Sequence, residues 1–142
     1  MRNTGMSNSK KIALVAGATG VVERNLLKYL IDLDDWNVIT VSRRKPEIEG
    51  NYKHISLDLI DSDACKAEAD AFVPATHIFF ASYVERLSWS EMVEPNVTML
   101  RNFIEVVVSA AVNLQHVNLM HGTKWYSNHL GPFKTHAEES NP

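Results

Sequence analysis

The sequence predicts an α/β fold in which a parallel sheet is wound on both faces by helices, and three observations carry that prediction. Short apolar, β-branched runs alternate regularly with segments of helical periodicity. The first run, Ile12 to Ala16, breaks at Gly17, turns through Ala18, Thr19 and Gly20, and restarts as an amphipathic helix. Five such runs separated by helices imply right-handed crossovers and the strand order 3-2-1-4-5.

The elements follow in order. Val22, Leu26, Leu27, Leu30 and Ile31 recur at helical spacing after the glycine turn, and Asp34, Asp35 and Asn37 end the pattern. Val38 to Ser42 is short and β-branched, as a second strand should be. A basic, proline-containing loop from Arg43 to Asn51 leads to a third strand, His54 to Leu57. Asp58 follows it, then a helix cap at Asp61 or Ser62 and an alanine-rich helix from Ala64 to Phe72 that Pro74 closes. His77 to Ala81 is a fourth, buried strand. Ser88 to Val112 is helical, with Met99, Leu100, Phe103, Ile104, Val107 and Val108 on its apolar face and Pro95 marking an entry or a kink. His116 to Met120 is the fifth strand, and the segment from Gly131 to Pro142 is polar without a regular pattern. The whole reads as a Rossmann-like doubly wound sheet that stops after its fifth strand, where a covering helix is expected. Residues 1–10 are expected to be disordered and 11–142 to form one domain.

Composition narrows the classes. A chain of 142 residues with 45% hydrophobic content can bury one real core. A net charge of −3 without a basic stripe excludes a nucleic-acid surface. The single Cys65 cannot form an internal disulfide, which fits a reducing, cytoplasmic setting, and nothing marks it as an activated nucleophile. The polar start carries no signal-peptide core, and no apolar run is long enough to span a membrane. The six histidines show no metal-ligand spacing, no metal is assigned, and the G-x-S-x-G hydrolase elbow is absent.

The glycine turn points free backbone N–H groups and the positive end of a helix at one spot, which suits a pyrophosphate. Gly17 and Gly20 fit the G-x-x-G-x-x-G spacing, but the third position holds Glu23. Glu23 brings bulk and charge where the pattern wants neither, although a carboxylate in the first turn suits the helix dipole. The second strand ends at Ser42, about 25 residues after Gly17, where an NAD site places an acidic residue on the ribose. Arg43, Arg44 and Lys45 stand there instead, so the chemistry points to a 2′-phosphate and hence NADP(H), against the plainer reading of a solvated basic turn. Asp58 could accept from an adenine amino group or cap the turn. Ser82 and Tyr83, after the fourth strand, could line the nicotinamide side or be loop residues without a ligand. Lys124, after the fifth, could hold a nicotinamide ribose or simply be solvated.

Taken together, GATGVV, VSRRKP, SLDLID, FFASY, EPNVTMLRNFIEVV and HGTKWYSNHLGPF resemble the amino-terminal part of the progesterone 5β-reductase and iridoid synthase-like group of short-chain dehydrogenases/reductases. The resemblance runs from Lys11 to Pro142. It implies that Thr19, Gly20 and Val21 hold the pyrophosphate, Arg43 and Arg44 the 2′-phosphate, and Asp58 with Leu59 the adenine. It also implies that Ser82 and Tyr83 flank the nicotinamide, that Lys124 is the catalytic lysine, and that the substrate is an enone reduced by hydride transfer from NADPH. The group's catalytic tyrosine lies downstream of the GPF element, so the chain by itself is expected to be inactive. Met120 stands where the group often has a polar cofactor contact, and Tyr126 is too near Lys124 to replace the missing tyrosine. Competing expectations are a nucleotide-sensing or partner-binding module, a remnant without function, and a sugar-nucleotide epimerase or dehydratase of the same superfamily. Self-association is expected through the exposed sheet edge or the 88–112 helix.

Overall fold

Four consecutive buried residues, Ala13 to Ala16, require a strand covered on both faces, and the fold is built around that strand. A computed structural model describes residues 10–120, 131–132, 138 and 140. β1 (Lys11–Ala16) pairs in parallel with β2 (Trp36–Ser42) on one side and with β4 (His77–Phe80) on the other. β3 (Lys53–Ser56) adds beside β2, and β5 (His116–Leu119) beside β4. The order β3-β2-β1-β4-β5 and the parallel sense are those the sequence predicts.

The two sheet faces carry different layers. α1 (Val21–Ile31) covers one of them, burying Leu27 and Leu30 with Ala13, Val15 and Val38. On the other face lie α2 (Ser62–Ala67), α3 (Ala69–Phe72) and the long α4 (Trp89–Ala110). There Phe72, Met99, Phe103 and Val107 pack on Leu14, Val41, Ile78 and Phe80. The Phe103 ring stands 5.8 Å from that of Phe72 and 5.7 Å from that of Phe80, so it joins α3, α4 and β4.

Several expectations are corrected in detail. The predicted helix from Ala64 to Phe72 starts earlier, at Ser62, because Asp61 accepts from the Ala64 N–H at 2.9 Å. It then breaks at Glu68, whose N–H turns back to the Cys65 carbonyl at 3.2 Å. β2 begins at Trp36 rather than Val38, since the Trp36 ring packs edge-on against His77 at 4.8 Å across the sheet. Val22 is exposed, because α1 turns Glu23, Leu27 and Leu30 inward at i, i+4 and i+7. α4 runs through Pro95, with Ser88 accepting from the Glu91 N–H as its cap. Val117 and Leu119 of β5 remain partly exposed. No described helix is long and apolar enough to cross a membrane. The expected disordered start lies outside the described residues except for Lys10.

Replacing Phe103 by Ala removes a fully buried ring shared by three elements. It should lower the unfolding free energy by about 3–5 kcal/mol in urea titrations; a loss under about 1 kcal/mol would contradict this packing.

Candidate nucleotide site

Parallel strands leave a crevice beyond their carboxyl ends, and here the ends of β1, β2 and β4, with the segment after β3, open into one cleft of about 490 Å³. The glycine turn forms its floor. Gly17 has φ +97°, donates its N–H to the Val41 carbonyl at 3.0 Å, and lies so near β4 that a Cβ would stand 2.8 Å from the Ser82 nitrogen. Only glycine meets both conditions. Gly20 closes the turn with its N–H on the Gly17 carbonyl at 3.0 Å, and the Arg24 N–H on the Gly20 carbonyl starts the helix. Gly17, Thr19 and Gly20 all line the cleft. Val21 is 79% exposed and lies outside its lining.

Arg43 and Arg44 form the wall beyond β2. Their backbone is pinned from two sides: the Ser42 hydroxyl donates to the Arg44 carbonyl at 2.7 Å, and the Ser56 hydroxyl to the Arg43 carbonyl at 2.9 Å. Among the described residues neither guanidinium has an acidic partner. Two fixed, uncompensated cations beside a glycine turn favour a bound anion. Lys45 lies on the neighbouring concavity with Thr19, Arg24 and Arg44, its ammonium 5.7 Å from the Tyr52 ring.

The opposite wall follows β3. Asp58 lines the cleft and accepts from the Ile60 N–H at 3.0 Å, so its carboxylate closes a turn while facing the cavity. Leu59 contributes to the same lining, but it is buried in the core and its carbonyl accepts from the Asn102 side chain at 2.9 Å. Ile60, 42% exposed, gives the same wall an apolar surface. The sequence reading missed Ile60, although an apolar residue directly after an aspartate-bearing turn is a usable signal.

Beyond β4, Ser82 and Tyr83 line the cleft, with the Tyr83 hydroxyl 3.0 Å from the Met92 sulfur. The loop is held by Asn96 of α4, which accepts from the Val84 N–H at 2.9 Å and donates to the Val84 carbonyl at 2.8 Å. Arg86, a third cleft arginine, was also missed, since nothing in the sequence around it marks a phosphate turn. Lys124, Tyr126 and the HGTKWYSNHL segment lie outside the described residues.

Glu23 behaves unlike an ordinary first-turn acid. It is only 4% exposed, and its carboxylate packs into the space a side chain on Gly20 would need. Burial raises its carboxyl above the usual 4.5, opposed by a hydrogen bond with its own backbone N–H. Desolvation thus outweighs that hydrogen bond. Cys65 is buried, and that burial together with Asp61 and Asp58 pushes its thiol up, the opposite of an activated nucleophile. Among the described residues no group of His, Cys, Asp and Glu could hold a metal ion.

Residues 13–141 match the NAD dependent epimerase/dehydratase family. The chain is 36% identical over 133 residues to a 3-oxo-Delta(4,5)-steroid 5-beta-reductase of Arabidopsis thaliana, covering 87% of this chain and 33% of that protein. It is 35% identical over 136 residues to an (S)-8-oxocitronellyl enol synthase of Nepeta cataria, covering 89% and 34%. The chain thus spans about a third of the length of these curated relatives. A short-chain dehydrogenase/reductase superfamily protein from Agrobacterium tumefaciens with bound NAD shares the fold, with a TM-score of 0.74 and 18% identity over 92% of this chain and 38% of that one.

Two measurements test this geometry. Gly17→Ala should destabilise the chain by at least about 1 kcal/mol, because it meets both an unfavourable φ and the β4 backbone; unchanged urea midpoints would contradict the close approach. Glu23 binds a proton more readily folded than unfolded, so its contribution to stability falls as pH rises from 4.5 through the raised value. Relative to the parent, Glu23→Gln should therefore gain stability with rising pH across that window. His54 and His77, both held below their usual value by burial, titrate in each chain and cancel in the difference. A pH-independent gap would show that the carboxylate is solvated.

Proposed function

We propose, on the premise that this chain belongs to the NAD dependent epimerase/dehydratase family, that it is the NADP(H)-binding part of a reductase. The observation that carries the proposal is the pair Arg43 and Arg44, which lack acidic partners among the described residues and share one cleft with the Gly17–Gly20 turn. The donor set fits the cofactor. Backbone N–H groups and a helix start suit the pyrophosphate, two guanidinium groups suit the 2′-phosphate in fork geometry, and Ile60 with Asp58 suits an adenine face and edge.

A bound nicotinamide nucleotide supplies a hydride. The chain's own residues bind and orient it. Pinning of the Arg43 and Arg44 backbone by Ser42 and Ser56 limits the ordering needed when a phosphate arrives. Asn96 fixes the loop that carries Ser82 and Tyr83 at the end where the nicotinamide would lie. In this reading Thr19 and Gly20 face the pyrophosphate; Lys124, assigned to the nicotinamide ribose by resemblance, lies outside the described residues. The substrate class suggested by the name of the steroid 5-beta-reductase is an enone, since a 3-oxo group conjugated to a Δ4,5 double bond accepts hydride at its β-carbon. A second reading, a nucleotide-binding module without turnover, is favoured by one observation, the buried Glu23 at the third glycine position.

NADPH should bind at least about tenfold more tightly than NADH in fluorescence titrations, given about 1.5–3 kcal/mol for each hydrogen bond to a charged group before discounting for exposure. The double substitution Arg43→Ala and Arg44→Ala should bring the two affinities together. Equal affinities in the parent chain would overturn the 2′-phosphate assignment.

A further inference from the structure

The Gly17–Gly20 turn offers an anion site, yet an anion of the chain's own already lies against it. Three observations define the situation. Gly20 carries no side-chain cap hydrogen bond at the start of α1, so the helix begins without the usual polar cap. The space vacated by its missing Cβ, which in a G-x-x-G-x-x-G turn lets a pyrophosphate approach the backbone, is filled by the Glu23 carboxylate. Glu23 is 4% exposed and has no ion-pair partner among the described residues, although Arg24 follows it and Arg43 and Arg44 line the same cleft as Gly20. No cation neutralises its charge, and only a hydrogen bond with its own backbone N–H opposes the effect of its burial.

We infer that Glu23 is an internal anion beneath the pyrophosphate seat, packed against Gly20 from behind the cleft lining, so that this chain grips the adenosine 2′-phosphate half of its ligand and repels the dinucleotide bridge. The inference rests on the proposed NADP(H) reading and adds to it a statement about which part of the nucleotide is recognised. Two like charges brought together in a partly buried site oppose each other, whereas Arg43 and Arg44 are exposed, so that water and salt screen them from the Glu23 charge. A ligand bearing the 2′-phosphate without the bridge should consequently lose little relative to the whole dinucleotide. Adenosine 2′-monophosphate is that ligand.

Calorimetric titrations of NADPH and adenosine 2′-monophosphate into the parent chain, Glu23→Gln and Glu23→Gly at pH 8 test the inference. Glu23→Gln keeps the shape and removes the charge. It should bind NADPH at least about tenfold more tightly than the parent, with adenosine 2′-monophosphate affinity unchanged. Glu23→Gly costs helix stability, so far-ultraviolet circular dichroism accompanies each titration, and the glutamine variant carries the decision. NADPH affinity that does not change in Glu23→Gln overturns the inference, and tightening confined to Glu23→Gly does so as well by assigning the effect to bulk. Adenosine 2′-monophosphate that binds none of the three chains while NADPH binds the parent overturns the inference too, whereas failure of both ligands to bind any chain would remove the NADP(H) reading itself.

Discussion

The close approach of Gly17 to the backbone of Ala81 and Ser82 is the constraint on which the site depends. β1 and β4 are neighbours in the sheet, and the chain must leave β1 over the end of β4 to enter α1. A residue with a Cβ cannot make that passage, because the nearest atoms are backbone and have no freedom to retreat. The same passage aims the start of α1 at the cleft, and the bond from the Gly17 N–H to the Val41 carbonyl ties the turn to the end of β2, where the arginines begin. One glycine thus fixes the relation between the floor of the cleft, the basic wall and the Ser82 loop.

The electrostatics of the cleft are divided. Arg43 and Arg44 stand on a backbone held by two serine hydroxyls, with exposed side chains that can reach an anion at small conformational cost. Across from them the carboxylate of Glu23 is drawn under the glycine turn, against the usual preference of a carboxylate for water. What forces it inward is the helix phase: Glu23 shares the inward stripe with Leu27 and Leu30, so anchoring the helix by its leucines turns the glutamate toward the sheet. Burial of this charge is a consequence of where the apolar residues of α1 fall, and it lies against the glycine turn because Gly20 has no side chain to exclude it.

Much of this was legible in the sequence. The alternation of apolar runs and helical segments set the strand order, since parallel strands joined by right-handed crossovers leave few topologies. The double arginine was legible from its position after the second strand, and its backbone clamps could be guessed from neither Ser42 nor Ser56 alone, because they come from different strands. Ile60 and Arg86 were missed: each enters the cleft through a loop path that tertiary packing sets, the first by the turn at Asp58 and the second by the Asn96 clasp. The break at Glu68 was invisible, since the alanine-rich segment favours helix throughout and the break follows from packing against α4. Glu23 was visible as a departure from the glycine pattern, but its burial required the helix phase.

The most direct measurement is a nuclear magnetic resonance titration of the isotopically labelled chain with NADPH, following backbone amides. Perturbations centred on Thr19, Gly20, Arg43, Arg44 and Ile60 are expected, with the groove between α2, α3 and α4 around Lys66 and Ser109 unaffected. Perturbations centred on that groove, or none at the arginine wall, would contradict a nucleotide site at the carboxyl ends of the strands.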